Sequence, residues 1–221
     1  MLFRSCIVVA SPALVSSSCA TPKTEQEDTT IIREDSGITA LKYSSPEVPA
    51  SIEFCGKTID LSRFDRHERM DRELLAFTYM HSTSLQMLKK ANRYFPIVEP
   101  ILKENGIPDD FKYLMVIESN MNPTARSSAG AAGLWQFMQG TGRDYGLEVN
   151  NNVDERYHIE KATRAACRYL KDAYAKYKDW VAVAASYNAG QARIASQLAK
   201  QDVDDSLDLQ LVEETARYVY R

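Results

Sequence analysis

The fold is decided around an apolar stretch that ends in a carboxylic acid, Phe111-Lys112-Tyr113-Leu114-Met115-Val116-Ile117-Glu118-Ser119. Apolar residues lie three, four and seven positions before Glu118, so they share its face of a helix. Burial disfavours a charged carboxylate, which raises its pKa and keeps a proton available near neutral pH. The stretch therefore predicts a core helix with Glu118 as a candidate general acid. The alternative is an ordinary glutamate that is solvated or ion-paired near a helix end.

Helical periodicity continues on both sides of this stretch. The predicted helices span 65–91, 97–104, a segment opened by Pro108 that contains Glu118, 134–138, 141–145, 159–177, 181–188, 191–200 and 213–220. The clearest is 159–177, whose apolar stripe follows the helical period. Alternating residues in 52–61, with Gly56 as a turn signal, predict a small hairpin. The sequence thus predicts an all-α fold in a single globular domain that begins with a hairpin.

Length, charge and residue spacing exclude several classes of function. The 221 residues suit one domain plus a tail, and a formal charge of −3 with acids and bases intermixed leaves no basic stripe for a nucleic acid. The three histidines are scattered and lack the spacing of a zinc site. Cys55 and Cys167 are too few for a disulfide framework, and Cys167 is predicted to be a buried thiol. We expect no nucleic-acid partner, no metal and no cofactor.

The first 51 residues differ in composition from the rest. Residues 1–19 combine a basic start, an apolar region and a small-residue exit, which is typical of an export signal. Cys19 is a candidate for lipid acylation, with plain signal cleavage and an unprocessed tail as the alternatives. Residues 20–51 are rich in Thr, Glu, Asp, Ser and Pro, and we expect them to form a disordered linker. The globular domain is then 52–221.

A run of small residues follows Glu118 and leads to Trp135, Gln136 and Met138. Small residues let a bulky ligand approach the backbone, and Gly133 permits dihedral angles that other residues avoid. Gln136 offers both a donor and an acceptor, and Trp135 offers a flat apolar face. These features are typical of a site that binds a sugar.

Two further motifs follow this run, and each is weak when taken singly. In order and in combination, however, the motifs resemble the lytic transglycosylase family with a goose-lysozyme-like fold, most closely the membrane-bound lytic murein transglycosylase D type. The resemblance covers about residues 61–220. It rests on Glu118-Ser119 with Ala125, Ser127, Gly130, Gly133, Leu134, Gln136 and Met138; on Tyr187-Asn188-Ala189-Gly190; and on Glu214-Thr215 with Tyr218-Val219.

The resemblance implies a lysozyme-like catalytic domain that acts on peptidoglycan glycan strands. The family cleaves the β-1,4 bond between N-acetylmuramic acid and N-acetylglucosamine without water as the nucleophile and forms 1,6-anhydro ends. Glu118 matches the single catalytic residue, which is acid first and base second. With the export signal predicted from residues 1–19, we expect an exported monomer that is located in the periplasm or attached to the outer membrane through an acylated Cys19.

Seven other residues match the family's substrate-binding groups. Ser127, Gln136 and Met138 match groups that line the cleft, and Tyr187 matches a phenol held near the catalytic carboxyl. Asn188 belongs to the same motif as Tyr187. Glu214 and Tyr218 match residues that close the back of the groove. For Met138 and Tyr218 the alternative is plain core packing.

The chain departs from the family pattern at three points. Gln139 and Tyr220 stand where the family commonly has proline, which affects the expected turns after Met138 and Val219. A LysM repeat, which D-type members often carry, does not follow the catalytic motifs in these 221 residues. The departures bear on local turn geometry and on affinity for the cell wall.

Two alternatives to a lytic transglycosylase stay open from the residues themselves. One is a lysozyme-like hydrolase, and the other is a non-catalytic wall-binding protein. Ordinary glycosidases use two carboxylates, yet no Asp or Glu lies between Glu118 and Asp144. This spacing favours the lyase, unless Asp144, Asp154, Glu155 or Glu214 folds back towards the cleft.

Overall fold

The computed structural model describes residues 44–203 and 205–221. Within them the elements are β1 Ser51–Phe54, β2 Lys57–Asp60, α1 Phe64–Tyr79, α2 His81–Glu104, α3 Leu114–Ser119, α4 Gln139–Asp144, α5 Ile159–Tyr177, α6 Trp180–Ala189, α7 Gln191–Gln201 and α8 Glu213–Tyr218. Short 3-10 helices span Asp109–Tyr113, Glu155–Tyr157 and Ser206–Asp208. The all-α prediction is confirmed. The predicted export signal, Cys19 and most of the predicted linker lie outside the described residues.

The predicted hairpin is present and packs on the helices. Strands β1 and β2 are antiparallel, with Ile52 opposite Ile59, and Gly56 adopts the left-handed φ of +80° that the turn requires. Ile59 is buried in a cluster with side chains of α1 and with Tyr220. A phenol at position 220 therefore fills the core where the family commonly has a proline.

The last residues of the predicted linker over 20–51 contact the globular domain. The backbone N–H of Ser44 donates to the Tyr79 hydroxyl at 2.9 Å, and that hydroxyl donates back to the Ser44 carbonyl at 2.8 Å. Val48 packs against the cluster of Ile59, and β1 begins at Ser51. Residues with the composition of a linker thus contact both α1 and the cluster beneath the hairpin.

The first two helices divide differently from the prediction. The break falls at Met80, with φ −79° and ψ 36°, and not before Pro96. Pro96 and Pro100 both lie inside α2. Each proline removes one helical hydrogen bond, and both prolines lie on the exposed face of α2. Burial of the opposite face of α2, which includes Val98, outweighs the local cost.

Helix α5 lies at the centre of the core, with the bounds that its periodicity predicted. Its buried face consists largely of alanines together with Leu170, and small side chains allow the neighbouring helices α2 and α6 to approach closely. Cys167 is fully buried on this face, as predicted. No helix in residues 44–203 and 205–221 combines the length and the apolar character needed to cross a membrane.

The predicted helix over 134–138 is wrong. The chain from 122 to 138, here called the substrate loop, instead forms isolated bridges that pair Ala132 with Arg126 and with Phe137. Gly133 and Gln136 adopt left-handed φ values of +78° and +49°, which a right-handed helix excludes. After Met138 the chain enters α4 at Gln139, a first-turn position that also accepts the proline common in the family.

Candidate active site

Glu118 is the penultimate residue of α3, at the point where the chain turns away from the core. Asn120 and Met121 follow with left-handed φ values of 50° and 52°, which end the helix abruptly. The Ser119 hydroxyl donates to the Met115 carbonyl at 2.8 Å and braces this last turn. The helix end therefore holds the Glu118 side chain, which is half-buried, at the edge of the core.

The pKa of Glu118 is raised above its ordinary value, as its apolar face predicted. Burial is the main cause, and the negative charge of Glu214 adds to it. A hydrogen bond from Tyr218 acts in the opposite direction, because it stabilises the carboxylate. Desolvation outweighs that hydrogen bond, so the carboxyl retains its proton to a higher pH than a solvated glutamate.

Tyr218 makes the direct contact with Glu118. Its hydroxyl donates to Oε1 of Glu118 at 2.7 Å, although the two residues are 100 positions apart. Tyr218 is also only 3 % exposed, and its ring packs in the main core, as the core-packing alternative predicted. Its hydroxyl, in contrast, contacts Glu118. Burial and the nearby Glu118 charge raise the Tyr218 pKa well above its ordinary value, which keeps the phenol protonated as a donor.

Tyr187 lies near Glu118 but hydrogen-bonds elsewhere. Its hydroxyl donates to the Trp135 carbonyl at 2.7 Å and so attaches α6 to the substrate loop. Burial and the charge of Glu118 raise its pKa well above the usual value. The phenol thus supports the wall of the site beside the carboxyl.

The two polar residues predicted to line the cleft also hold the substrate loop in shape. The Gln136 amide nitrogen donates to the Gly133 carbonyl at 2.7 Å and to the Ala125 carbonyl at 3.3 Å. The Ser127 hydroxyl accepts from the Ala131 N–H at 3.0 Å. Both side chains are half-buried. Their first role in the structure is therefore to maintain the loop conformation.

The other predicted site residues take different positions. Met138 is 46 % exposed, which excludes the core-packing alternative for this residue. Glu214 is exposed on α8, close enough for its charge to affect Glu118. Oδ1 of Asn188 accepts a hydrogen bond of 2.9 Å from the Thr215 hydroxyl, which joins α6 to α8. Asn188 therefore acts on α8 through Thr215.

Trp135 does not offer a face to a sugar. It is completely buried, and its indole N–H donates to the Thr163 hydroxyl of α5 at 3.0 Å. The expectation that Trp135 presents a flat apolar face suited to a sugar is therefore wrong. Its neighbours Leu134 and Phe137 are buried as well, so the apolar triplet pins the substrate loop to the core.

Arg156 is a structural residue of the site that the sequence did not reveal. Its guanidinium is buried and donates to the Gly130 carbonyl at 2.8 Å and to the Phe137 carbonyl at 2.9 Å, so it joins both arms of the substrate loop. Asp154 balances its charge at 2.7 Å. A Cβ added to Gly133 would lie only 1.9 Å from the carbonyl oxygen of Arg156, so this position requires glycine. No periodic pattern marks such an arginine.

Two of the carboxylates considered as partners for Glu118 are engaged elsewhere. The pair with Arg156 lowers the pKa of Asp154. Glu155 forms an ion pair with Lys161 and accepts from the Glu148 N–H at 2.9 Å, and both contacts lower its pKa. Asp144 is exposed at the end of α4. Glu214 is the candidate whose charge acts on Glu118.

The chain is similar to several known proteins. The family described as "Transglycosylase SLT domain" matches residues 96–208, just over half of the chain. The membrane-bound lytic murein transglycosylase D of Escherichia coli (strain K12) is 31 % identical over 157 residues, which cover 69 % of this chain and 34 % of that protein. The peptidoglycan transglycosylase gp16 of Escherichia phage T7 is 33 % identical over 95 residues, which cover 42 % of this chain and 7 % of that protein.

Among solved structures, an inactive mutant of the lytic transglycosylase Slt from Pseudomonas aeruginosa aligns with 57 % of this chain and 22 % of its own, at 23 % identity and a TM-score of 0.48. The chain spans about a third of the length of the murein transglycosylase D relative. The family resemblance predicted from the three motifs is confirmed by the family match. The chain belongs to the transglycosylase SLT domain family.

Proposed function

We propose that this protein is a peptidoglycan lytic transglycosylase that cleaves the β-1,4 bond between N-acetylmuramic acid and N-acetylglucosamine and leaves a 1,6-anhydro end. The observation that carries the proposal is the half-buried Glu118, whose pKa is raised and whose Oε1 receives the Tyr218 hydroxyl at 2.7 Å. Membership of the transglycosylase SLT domain family supports it.

The first step is general acid catalysis by Glu118. Because Tyr218 donates to Oε1, the other carboxyl oxygen is free to carry the proton. That proton passes to the glycosidic oxygen as the bond to C1 breaks. The Tyr218 hydroxyl then stabilises the carboxylate that this step creates.

The second step is general base catalysis by the same carboxylate. It takes the proton of the muramic acid C6 hydroxyl while the C6 oxygen attacks C1 and closes the anhydro ring. One residue suffices, because the acid and base steps occur in sequence. With Asp154 and Glu155 held in ion pairs, the acetamido group of the substrate is the proposed stabiliser of positive charge at C1.

The cleft is proposed to be lined by Ser127, Gln136 and Met138 on the side of the substrate loop. Tyr187 and Asn188 of α6, with Glu214 and Tyr218 of α8, complete the opposite side. The exposed Met138 supplies an apolar contact for a sugar ring, and Glu214 meets the solvent at the rim.

The cellular setting is proposed from the sequence and from the relatives. The glycan strand of peptidoglycan is the partner, and the protein acts as a monomer. Export through residues 1–19 would deliver it to the periplasm, where an acylated Cys19 would attach it to the outer membrane. The predicted linker over residues 20–51 would then connect the anchor with the domain.

Digestion of isolated cell-wall sacculi tests the proposal, with the wild type compared with Glu118→Gln and the products measured by mass spectrometry. We expect abundant anhydro-muropeptides from the wild type and a loss of at least about 10³-fold in Glu118→Gln. Muropeptides with reducing ends only would identify a hydrolase. Binding to sacculi without soluble products would identify a wall-binding protein.

A further inference from the structure

Helix α8 is too short to hold its own position. It has six residues, of which Thr215 and Tyr218 are buried, and an isolated helix of this length is not stable in water. The placement of the Tyr218 hydroxyl against Glu118 therefore depends on contacts that α8 makes with other elements. One such contact is the hydrogen bond from Thr215 to Asn188.

The second contact is an ion pair between Arg217 and Glu73 of α1. Nε of Arg217 donates to Oε1 of Glu73 at 2.6 Å, across 144 positions of sequence. Glu73 is only 7 % exposed, whereas the Arg217 side chain is 30 % exposed. The bond raises the pKa of Arg217, because it favours the charged guanidinium. A charge-assisted bond to a buried carboxylate is strong and directional.

A cavity lies next to this ion pair. About 250 Å³ of space separates α1 from α3, bounded by Leu74 and Phe77 on one side and by Val116 and Ile117 on the other. Glu73 and Arg217 also border this space. At the edge of this space behind the Glu118 helix, the Glu73–Arg217 ion pair connects α1 directly to α8.

Arg217 and Tyr218 are consecutive on α8, so their side chains leave the helix in different directions. Arg217 points to Glu73 of α1 and Tyr218 to Glu118 of α3. A rotation or shift of α8 that breaks the first contact also moves the second. Neither Glu73 nor Arg217 lies within the family match over residues 96–208.

We propose that Glu73 is a positioning residue, whose ion pair with Arg217 sets α8 so that the Tyr218 hydroxyl stays against Oε1 of Glu118. Its consequence for turnover rests on the proposed function, but the positioning itself does not. No sequence pattern marks Glu73, since one carboxylate on a long amphipathic helix is ordinarily solvated.

Several charged and titratable groups surround the two carboxyls. Around Glu118 these are Tyr218 and Glu214 of α8 and Tyr187 of α6. Around Glu73 these are Arg217, Arg221 at 3.5 Å and Arg72 at 3.7 Å. The Tyr218 hydrogen bond lowers the pKa of Glu118. Weakening that bond therefore raises the pKa of Glu118.

A carbon-13 NMR titration of the Glu118 carboxyl in the full chain tests the proposal, with the signal assigned by its loss in Glu118→Gln. Four proteins are compared: the wild type, Glu73→Gln, Tyr218→Phe and the double variant. We expect Glu73→Gln to raise the Glu118 pKa by most of the rise that Tyr218→Phe produces. The double variant should match Tyr218→Phe alone, because both changes remove the same hydrogen bond.

Glu213→Gln is the matched control, because Glu213 forms an exposed ion pair of 2.7 Å with Arg72 between the same two helices. It should leave the Glu118 pKa at the wild-type value. If circular dichroism shows that Glu73→Gln does not fold, Arg217→Gln breaks the same ion pair from its more exposed side. Arg217→Lys keeps the positive charge and should raise the Glu118 pKa less than Arg217→Gln does.

A wild-type pKa for Glu118 in the folded Glu73→Gln protein would overturn the proposal. So would a double variant in which the two rises add, since Glu73 would then act independently of Tyr218. The titration needs no turnover, so a failed sacculus digest would remove the proposed function and leave this result standing.

Discussion

The hydroxyl of Tyr218 lies 2.7 Å from Oε1 of Glu118 and joins the last helix to the end of α3. The two residues are 100 positions apart in the sequence. Their hydrogen bond opposes the desolvation and the Glu214 charge, which both raise the Glu118 pKa, so the acidity of the carboxyl depends on all three.

Tyr218→Phe should slow turnover and change its pH dependence. Loss of the hydrogen bond raises the Glu118 pKa, so the protonated acid persists to higher pH. The alkaline limb of the pH–rate profile should therefore shift to higher pH. The rate at the optimum should fall about tenfold, because the carboxylate formed in the first step loses its donor. The measurement is the pH profile of muropeptide release.

Tyr220→Phe removes a phenol two positions away, in the cluster beneath the hairpin, and serves as the control for that profile. It should leave the alkaline limb in place. Movement of the limb in both variants would mean that the effect belongs to α8 packing in general.

Gly133→Ala should destabilise the fold severely. A Cβ at this position would lie 1.9 Å from the Arg156 carbonyl, and the φ of +78° is itself unfavourable for alanine. We expect a loss of about 3 kcal/mol or more in the free energy of unfolding, measured by urea denaturation.

Gly130→Ala measures the cost of the left-handed backbone conformation without a steric clash. Its φ is +89°, but a Cβ there meets nothing within 4 Å. The expected loss is about 1 kcal/mol, from the backbone alone. Equal losses in the two variants would refute the close approach of Arg156 to Gly133.

Arg156→Met should unfold or loosen the substrate loop. It leaves Asp154 without its partner and frees the carbonyls of Gly130 and Phe137. The free energy of unfolding should fall by about 3–5 kcal/mol, the usual cost of breaking a buried ion pair from one side. Arg164→Met breaks an exposed pair with Glu104 and should cost less than about 1 kcal/mol. A similar loss in both variants would contradict the structural role of Arg156.

Glu118→Gln should stabilise the protein at neutral and alkaline pH. A carboxyl whose folded pKa is raised contributes stability below the ordinary value of 4.5, and this contribution is lost as the pH rises through the folded pKa. Glutamine avoids that loss, so the gain over the wild type should appear near about pH 8 and vanish near about pH 4. Urea denaturation at both values measures it.

Glu104→Gln, on an exposed helix end, should change the free energy of unfolding little at either pH. A gain for Glu118→Gln that is the same at both pH values would show that its origin is not ionisation. Greater stability in a variant without turnover would also fit a site that trades stability for function.

Local patterns predicted much of the fold. The bounds of α5 followed from its stripe of small and apolar residues, and the hairpin followed from alternation around Gly56. The spacing before Glu118 predicted its apolar face. Local patterns failed where tertiary contacts outweighed them: α2 continues through two prolines because its opposite face is buried, and 134–138 is a loop because Trp135 and its neighbours enter the core.

By itself, the sequence determined the helical class, the family and the identity of the candidate acid, because periodicity and motif order depend on neighbours along the chain. Only the tertiary structure decided the partners of that acid. Tyr218 reaches Glu118, Glu73 holds Arg217, and Arg156 joins the arms of the substrate loop. A hydrogen bond depends on distance and direction in space, and helix packing brings together groups whose separation in sequence carries no signal.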